Sequence, residues 1–99
     1  MEFAGYSFAA SSRRHRVSRE RIRKVVEAAA FALGLPAQPP RWPDPSLLFL
    51  GYDGTGELVE IVGIPLDGGR LRVIHAMPAR PRYRLLYWEV MTWLEAEDS

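Results

Sequence analysis

The chain has 99 residues, of which 47% are hydrophobic and 25% charged, and it contains no cysteine. That length allows one domain with one modest core, and the composition is typical of a globular protein. The lack of cysteine excludes disulfides and thiolate chemistry and fits a reducing compartment. The sequence shows no apolar run of membrane-spanning length and no signal-peptide pattern at its start. We therefore expect one cytoplasmic domain over residues 1–99, with no membrane partner.

The net charge of +1 conceals an uneven distribution along the chain. Residues 13–24, RRHRVSRERIRK, carry seven cations and one anion, whereas residues 89–99 carry four acids and no cation. A basic face on a small domain favours contact with phosphate groups or with an acidic partner. The clustering of the cations, and not the small net charge, is therefore the feature that indicates a partner.

Two helices are predicted in the first third of the chain. A short one over residues 6–14 is expected to pack Phe8 inward. For the second, Ser18 provides an N-cap, Gly34 takes the left-handed C-terminal position, and Pro36 ends the helix. Apolar residues at three- and four-residue steps mark the buried face of this second helix: Ile22, Val25, Val26, Ala29, Ala30 and Leu33.

The middle of the chain predicts an extended segment and then three strands. Residues 34–46 contain five prolines, which excludes a regular element, so we expect a surface crossing pinned by Trp42. Strands are expected at residues 47–52, 57–66 and 70–77, joined by DGTG and DGG turns. Because glycine accepts positive φ, these Asp-Gly pairs favour hairpins. Neither turn leads into a helix, as a phosphate-binding loop would.

The final segment, from about Pro81 to Glu97, is predicted as a helix, because proline suits a first turn and apolar residues follow at helical spacing. The predicted order is therefore two N-terminal helices, a three-stranded antiparallel meander sheet and a C-terminal helix. An α+β domain with its helices on one side of the sheet is the natural packing for that order.

Three stretches of this sequence resemble motifs of one protein family. RRHRVSRERIRKVVEAA (13–29) is similar to a Lys-His-Gly-Val-Ser segment that opens into a helix, and LFLGYDGTGELVEIVGIP (48–65) to a glycine-containing strand followed by a long one. VIHAMPARPRYRLLY (73–87) is similar to an Ile-Ser-Ala-Arg segment followed by Arg-x-x-Tyr. Together they resemble the BrnT family of bacterial toxins, within the wider RelE-like ribonuclease group. The strand with which that family begins has no counterpart among the predicted elements.

The resemblance implies a RelE-like fold, metal-independent cleavage of RNA, no cofactor, and a cognate antitoxin protein as partner. His15 stands at the family's histidine, Gly51 at its strand glycine, and the Arg-x-x-Tyr falls on Arg84 and Tyr87. These residues are therefore expected to carry the family's roles.

Three positions depart from the family's pattern. His75 replaces a serine, Met77 replaces an arginine, and Tyr83 replaces a glutamate. Arg80, three residues beyond Met77, is the cation expected to compensate for the lost arginine. The departures leave open either altered chemistry or a catalytically silent member of the same fold.

RNA cleavage without a metal needs a base for the ribose hydroxyl, an acid for the leaving oxygen, and cations that hold the phosphate. Histidine suits either proton-transfer role, and arginine binds phosphate oxygens in a planar fork. The expected catalytic residues are His15, His75, Arg80, Arg84 and Tyr87. The expected RNA-binding residues are Arg13, Arg14, Arg16, Arg19, Arg23, Lys24 and Arg82. No cluster has metal-ligand spacing, so no metal site is expected.

Each candidate also has a structural interpretation. His15 can simply bond a backbone carbonyl beside the helix cap, and His75 can be a hydrogen-bonded core residue on a central strand. Tyr87 falls on the apolar helix face, where core packing is the commoner role. Arg80 and Arg84 are the strongest candidates, because they flank a strand-to-helix junction whose exposed amides favour an anion. Of the two histidines, His15 is the expected general base and His75 the expected structural residue.

Three functions remain open from the sequence. The first is the toxin of a bacterial toxin–antitoxin pair, acting as an endoribonuclease. The second is a silent relative of the same fold that binds RNA or a protein. The third is a homodimer without nucleic acid, in which Trp42, Trp88 and Trp93 form an apolar patch.

Overall fold

The computed structural model describes residues 1–40 and 43–98, so the expectation that Trp42 pins the extended segment lies outside the described residues. Five strands form one sheet, and one α-helix packs on each of its faces. The strands are β1 (Gly5–Phe8), β2 (Ala32–Leu35), β3 (Ser46–Tyr52), β4 (Leu58–Leu66) and β5 (Arg70–Pro78), and the helices are α1 (Arg19–Ala28) and α2 (Pro81–Asp98). Short 3-10 turns occupy Ala10–Arg13 and Asp67–Gly69.

The centre of the sheet is the predicted meander. The strand order is β1-β5-β4-β3-β2, and the pairs β3–β4 and β4–β5 are antiparallel. The predicted glycines make the two connecting turns, because Gly54 and Gly68 have φ values of 91° and 76°. The helix predicted from Pro81 is also confirmed, and it ends at Asp98.

The prediction of two N-terminal helices is wrong. Gly5–Phe8 is β1, which pairs in parallel with the first half of β5, and Ala10–Arg13 is only a 3-10 turn. The local pattern of residues 5–8 is compatible with either a helix or a strand. The exposed edge of β5 provides hydrogen-bond partners for their backbone, and this pairing makes the segment a strand.

The second predicted helix is real but shorter than predicted. Ser18 is its N-cap, with a side-chain oxygen that accepts from the backbone N–H of Arg21 at 3.2 Å. The helix ends at Ala28, and Ala32–Leu35 forms β2 along the edge of β3. The predicted helical positions of Leu33 and Gly34 are therefore wrong, because their backbone pairs with β3 instead.

The helices lie on opposite faces of the sheet, and not on one side as predicted. Ile22, Val25 and Val26 of α1 are buried against one face. Tyr83 and Leu86 of α2 pack against the other. Each fully buried apolar side chain contributes about 1.5–3 kcal/mol, so both faces contribute to stability.

The fold is therefore a small α+β domain with a five-stranded mixed sheet and two α-helices, in place of the predicted three-stranded antiparallel sheet with three helices. Among residues 1–40 and 43–98, no helix has the length and apolar character needed to cross a membrane.

A β-bulge in β5 sets the direction of the His75 side chain. The β4–β5 register shifts between Val62 and Gly63, which leaves Ile74 without a partner on β4. The segment that follows β1 covers this bulge. The Ser11 hydroxyl donates to the Ile74 carbonyl at 2.6 Å, and the Ala9 N–H donates to the Val73 carbonyl at 2.9 Å. Bulges redirect side chains locally. Here the bulge directly precedes His75.

Candidate functional site

A buried carboxylate organises one end of the sheet. Glu60 on β4 is fully buried, between Val59 and Ile61 in the chain. Its oxygens accept hydrogen bonds from Nε2 of His75 (3.0 Å) and from the backbone N (2.8 Å), Nε (3.0 Å) and Nη2 (2.8 Å) of Arg80. One carboxylate therefore joins a strand residue to the residue that directly precedes α2.

The hydrogen bonds keep Glu60 ionised. Burial alone would raise the pKa of Glu60, but the hydrogen bonds from Arg80 and His75 outweigh burial, so the pKa lies below its usual value. An ionised carboxylate only accepts hydrogen bonds. The Nε2 atom of His75 must therefore carry a proton, and in the neutral ring the lone pair lies on Nδ1.

His75 is held in its neutral form. Its side chain is 19% exposed. Burial lowers the pKa of His75 below 6.5, and the charges of Arg80 and His15 add to this effect, while the bond to Glu60 opposes it. A neutral, partly exposed imidazole with a fixed tautomer is suited to accept a proton. His75 is hydrogen-bonded, as its structural interpretation expects, but it is only partly buried and not a core residue, so it stays accessible.

His15 lies beside His75, although the two residues are sixty positions apart in the chain. The ring centroids are 6.0 Å apart and the rings are inclined at 72°. The loop that carries His15 is anchored by the buried side chain of Val17. Between these two residues, the backbone of Arg16 is left-handed, with φ of 59°. His15 itself is exposed. The structure therefore brings together two of the predicted catalytic residues.

Arg80 completes the group. Its carbonyl accepts the first helical hydrogen bonds of α2, from the backbone of Tyr83 (2.9 Å) and of Arg84 (3.0 Å). Its side chain is 44% exposed, and Nη1 is the one guanidinium nitrogen that makes no bond to Glu60. Arg84, also exposed, lies one helical turn further along α2. Both arginines can thus present cationic N–H groups at the same end of the helix.

Tyr87 lies in a different environment. Its ring contacts are with Phe31 (6.1 Å between centroids), Tyr52 (5.7 Å) and Trp88 (5.8 Å). Burial raises the pKa of Tyr87, with smaller contributions from Tyr52 and Glu95. These contacts assign Tyr87 to an aromatic cluster between α2 and the edge of the sheet, which agrees with its structural interpretation.

The predicted RNA-binding cluster divides into two groups. Arg13, Arg14 and Arg16 are exposed on the same loop as His15. On α1, the guanidinium of Arg19 lies 5.2 Å from the ring centroid of Phe8, and that of Arg23 lies 5.6 Å from the ring centroid of Tyr6. The first group adjoins His15 along the chain, and the second group does not.

The other two predicted cations also have neighbours. Lys24 pairs with Glu20 at 3.6 Å, an exposed pair on one helix. The guanidinium of Arg82 lies 4.6 Å from the ring centroid of Tyr83 and donates to its hydroxyl at 3.3 Å. Such exposed contacts leave the positive charges at the surface.

Arg21 has a structural role that the sequence did not reveal. It donates through Nε to Asp53 (2.6 Å) and through Nη2 to Glu57 (2.8 Å). Burial would raise the pKa of Asp53, but hydrogen bonds from Thr55 and Arg21 lower it to about 2. The β3–β4 turn is therefore held against α1.

Sequence reasoning also missed Glu60. The sequence contains a signal for it, because Glu60 is the single acid in the apolar run LVEIVGI. Strand alternation places its side chain on the face of the sheet that α2 covers. A charged residue is rarely buried unless it is paired, so Glu60 predicts a cationic partner.

Comparison of the chain with protein-family models, with curated proteins and with solved structures finds no significant match. Within the described part of the chain, no group of three or more His, Cys, Asp or Glu side chains is arranged to hold a metal ion.

Proposed function

We propose that this protein is a metal-independent endoribonuclease and the toxin of a bacterial type II toxin–antitoxin pair, acting in the cytoplasm and neutralised by a cognate antitoxin protein. The observation that carries the proposal is the 6.0 Å separation of the His15 and His75 rings beside Arg80. Two imidazoles and a guanidinium supply the base, the acid and the phosphate clamp that RNA cleavage needs.

In the proposed reaction, Nδ1 of His75 takes the proton of a ribose 2′-hydroxyl, and the 2′-oxygen attacks the adjacent phosphorus. The bond from phosphorus to the 5′-oxygen breaks as His15, protonated, donates a proton to that oxygen. The products are a 2′,3′-cyclic phosphate and a 5′-hydroxyl. Arg80 and Arg84 stabilise the charge that develops on the phosphate.

This proposal reverses the roles that the sequence suggested for the histidines. The ionised Glu60 fixes the proton of His75 on Nε2, and burial lowers the pKa of His75, so the neutral ring is available as a base. His15 is more exposed and is not tied to Glu60, so it is the histidine left for the role of the acid.

Three structural features support the resemblance to the BrnT family. The chain begins with a strand, β1, as that family does. Arg16 occupies the position of the family's glycine and has φ of 59°, a conformation that glycine favours. Met77, in the family's arginine position, lies opposite Glu60 in the β4–β5 ladder. Arg80 reaches that same carboxylate, which supports the view that it replaces the lost cation.

A catalytically silent fold that binds RNA is the second candidate. Arg80 uses Nε and Nη2 on Glu60, so less of its guanidinium remains for a phosphate. In that case the exposed arginines 13, 14 and 16 bind RNA with an affinity that falls steeply with salt, but no strand is cut.

Induced expression in a bacterial host tests the toxin proposal. We expect growth arrest with the wild-type chain, normal growth with His15→Ala or His75→Ala, and rescue by co-expression of the product of the neighbouring gene. Arg72→Ala is the matched control, because Arg72 is an exposed cation on β5 outside the histidine group. Normal growth with abundant soluble wild-type protein would contradict the proposal.

A further inference from the structure

Helix α2 exposes large apolar side chains on the side that faces away from the sheet. Leu85 is 62% exposed and Trp88, three residues further along, is 56% exposed. Tyr83 and Leu86 take the opposite side and pack on the sheet. An exposed apolar group of this size on a small domain is typical of a contact surface.

Two opposite charges flank this apolar group along one edge of the helix. Arg82 precedes Leu85 by three residues and Glu89 follows it by four, and both are exposed. Seven residues are nearly two turns, so the backbone positions of Arg82 and Glu89 lie at almost the same angle about the helix axis. The Arg82 guanidinium, which lies over the Tyr83 ring in the single chain, turns toward the partner when the dimer forms. The edge therefore has a positive end and a negative end on either side of Leu85 and Trp88.

The order of charges along α2 opposes the helix's own dipole. The first turn of α2 contains no acid, and its last turn contains no base. The N-terminal end of a helix is stabilised by negative charge, so Arg82 does not stabilise α2 in isolation. An antiparallel neighbour with the same sequence would supply that negative charge, because it would bring a Glu89 carboxylate to the N-terminal end.

We infer that the outer face of α2 binds a second copy of this chain, with the two α2 helices antiparallel about a twofold axis between Leu85 and Trp88. Leu85 of each copy then packs against Trp88 of the other. Arg82 of each copy pairs with Glu89 of the other. Because the contact is isologous, each attractive pair occurs twice.

The expected affinity is modest. One face of one helix buries on the order of 400 Å² per copy, about half of the ~800 Å² of a standard stable interface. The dimer should therefore dissociate in the micromolar range, with Kd on the order of 10 μM. Dimerisation is a property beyond the proposed nuclease activity, and it is measured without RNA. The dimer proposal and the nuclease proposal can therefore be refuted independently of each other.

Sedimentation velocity of the full chain, from about 1 to 200 μM, tests the inference. We expect the wild type to pass from monomer to dimer over that range. Arg82→Glu alone and Glu89→Arg alone should each remain monomeric, because each variant places two like-charged pairs in the interface. An equimolar mixture of the two variants should recover the dimer, since every pair is again opposite in charge. Trp88→Ala should weaken association by tenfold or more, through the loss of a buried aromatic side chain.

Glu27→Arg is the control for net charge, because Glu27 is exposed on α1 and the change equals that of Glu89→Arg. Circular dichroism checks that each variant is folded. A wild type that remains monomeric at the highest concentration would overturn the inference. So would a mixture of the two charge variants that stays monomeric.

Discussion

Oε2 of Glu60 lies 3.0 Å from Nε2 of His75, a contact that joins a fully buried carboxylate to a side chain that solvent still reaches. The same carboxylate accepts three hydrogen bonds from Arg80. Glu60 therefore determines both the tautomer of the histidine and the position of the arginine. Its removal should affect stability and pH dependence together.

The first prediction concerns the stability that Glu60 provides. Glu60→Gln keeps the shape of the side chain but removes the negative charge that Arg80 and His75 face. We expect a loss of about 1–3 kcal/mol in the free energy of unfolding, measured by urea denaturation. Glu57→Gln is the matched control, since its side chain is 41% exposed and its pair with Arg21 should contribute less than about 1 kcal/mol. A Glu60→Gln variant as stable as the control would show that the buried network does not stabilise the fold.

The same variant separates positioning from packing. The Glu60 carboxylate raises the pKa of His75 against the stronger effect of burial, so its removal should lower that pKa further. The acidic limb of the pH–rate profile for RNA cleavage should then move to lower pH in Glu60→Gln, with a lower kcat. A merely structural Glu60 would leave that limb in place.

The second prediction concerns stability against pH. The pKa of folded His75 lies below 6.5, its value in the unfolded chain, because burial disfavours the charged ring. The unfolded chain therefore binds more protons in the interval between the two pKa values, and stability rises with pH across it. We expect the free energy of unfolding to fall as pH decreases below about 6.5, with a smaller fall in His75→Gln. Equal slopes in the two proteins between pH 5 and 7 would contradict this account.

The third prediction uses the left-handed residue next to His15. Arg16 has φ of 59°, which costs a residue with a Cβ about 1–2 kcal/mol and costs glycine very little. Glycine also makes the unfolded chain more flexible, which offsets part of the strain that its substitution relieves. Arg16→Gly should therefore stabilise the protein by up to about 1 kcal/mol. Arg14→Gly, at a residue with φ of −56°, is the control and should destabilise it by about 0.5–1 kcal/mol. The melting temperatures should move in opposite directions. A loss of stability in both would argue against strain at Arg16.

The sequence predicted the parts of the fold in which local signals agree with tertiary partners. The Asp-Gly turns, the Ser18 cap and the proline at the start of α2 each carry a local physical signal. β1 and β2 were missed because both are four-residue edge strands. Their hydrogen-bond partners lie on distant parts of the chain, which no local pattern reveals.

The site was predicted in part for the same reason. His15, His75 and Arg80 were recognisable as chemically suited residues, but their proximity depends on β1, on the bulge at Ile74 and on Glu60. Tyr87 matched a motif by spacing, whereas the packing of α2 turns it toward Tyr52. Residue type was readable from the sequence, and spatial arrangement was not.

Cleavage of a defined single-stranded RNA by the purified protein in excess EDTA is the measurement that tests the central claim most directly. We predict cleavage that persists without divalent metal and leaves a 2′,3′-cyclic phosphate and a 5′-hydroxyl, because the attacking group is the ribose 2′-hydroxyl. A substrate with 2′-deoxyribose at the cut position should remain intact. His15→Ala and His75→Ala should each lose ~100-fold or more in rate, and only His75→Ala should also lose stability, by about 1–3 kcal/mol. Absence of cleavage by folded wild-type protein, or full activity in either histidine variant, would contradict the account.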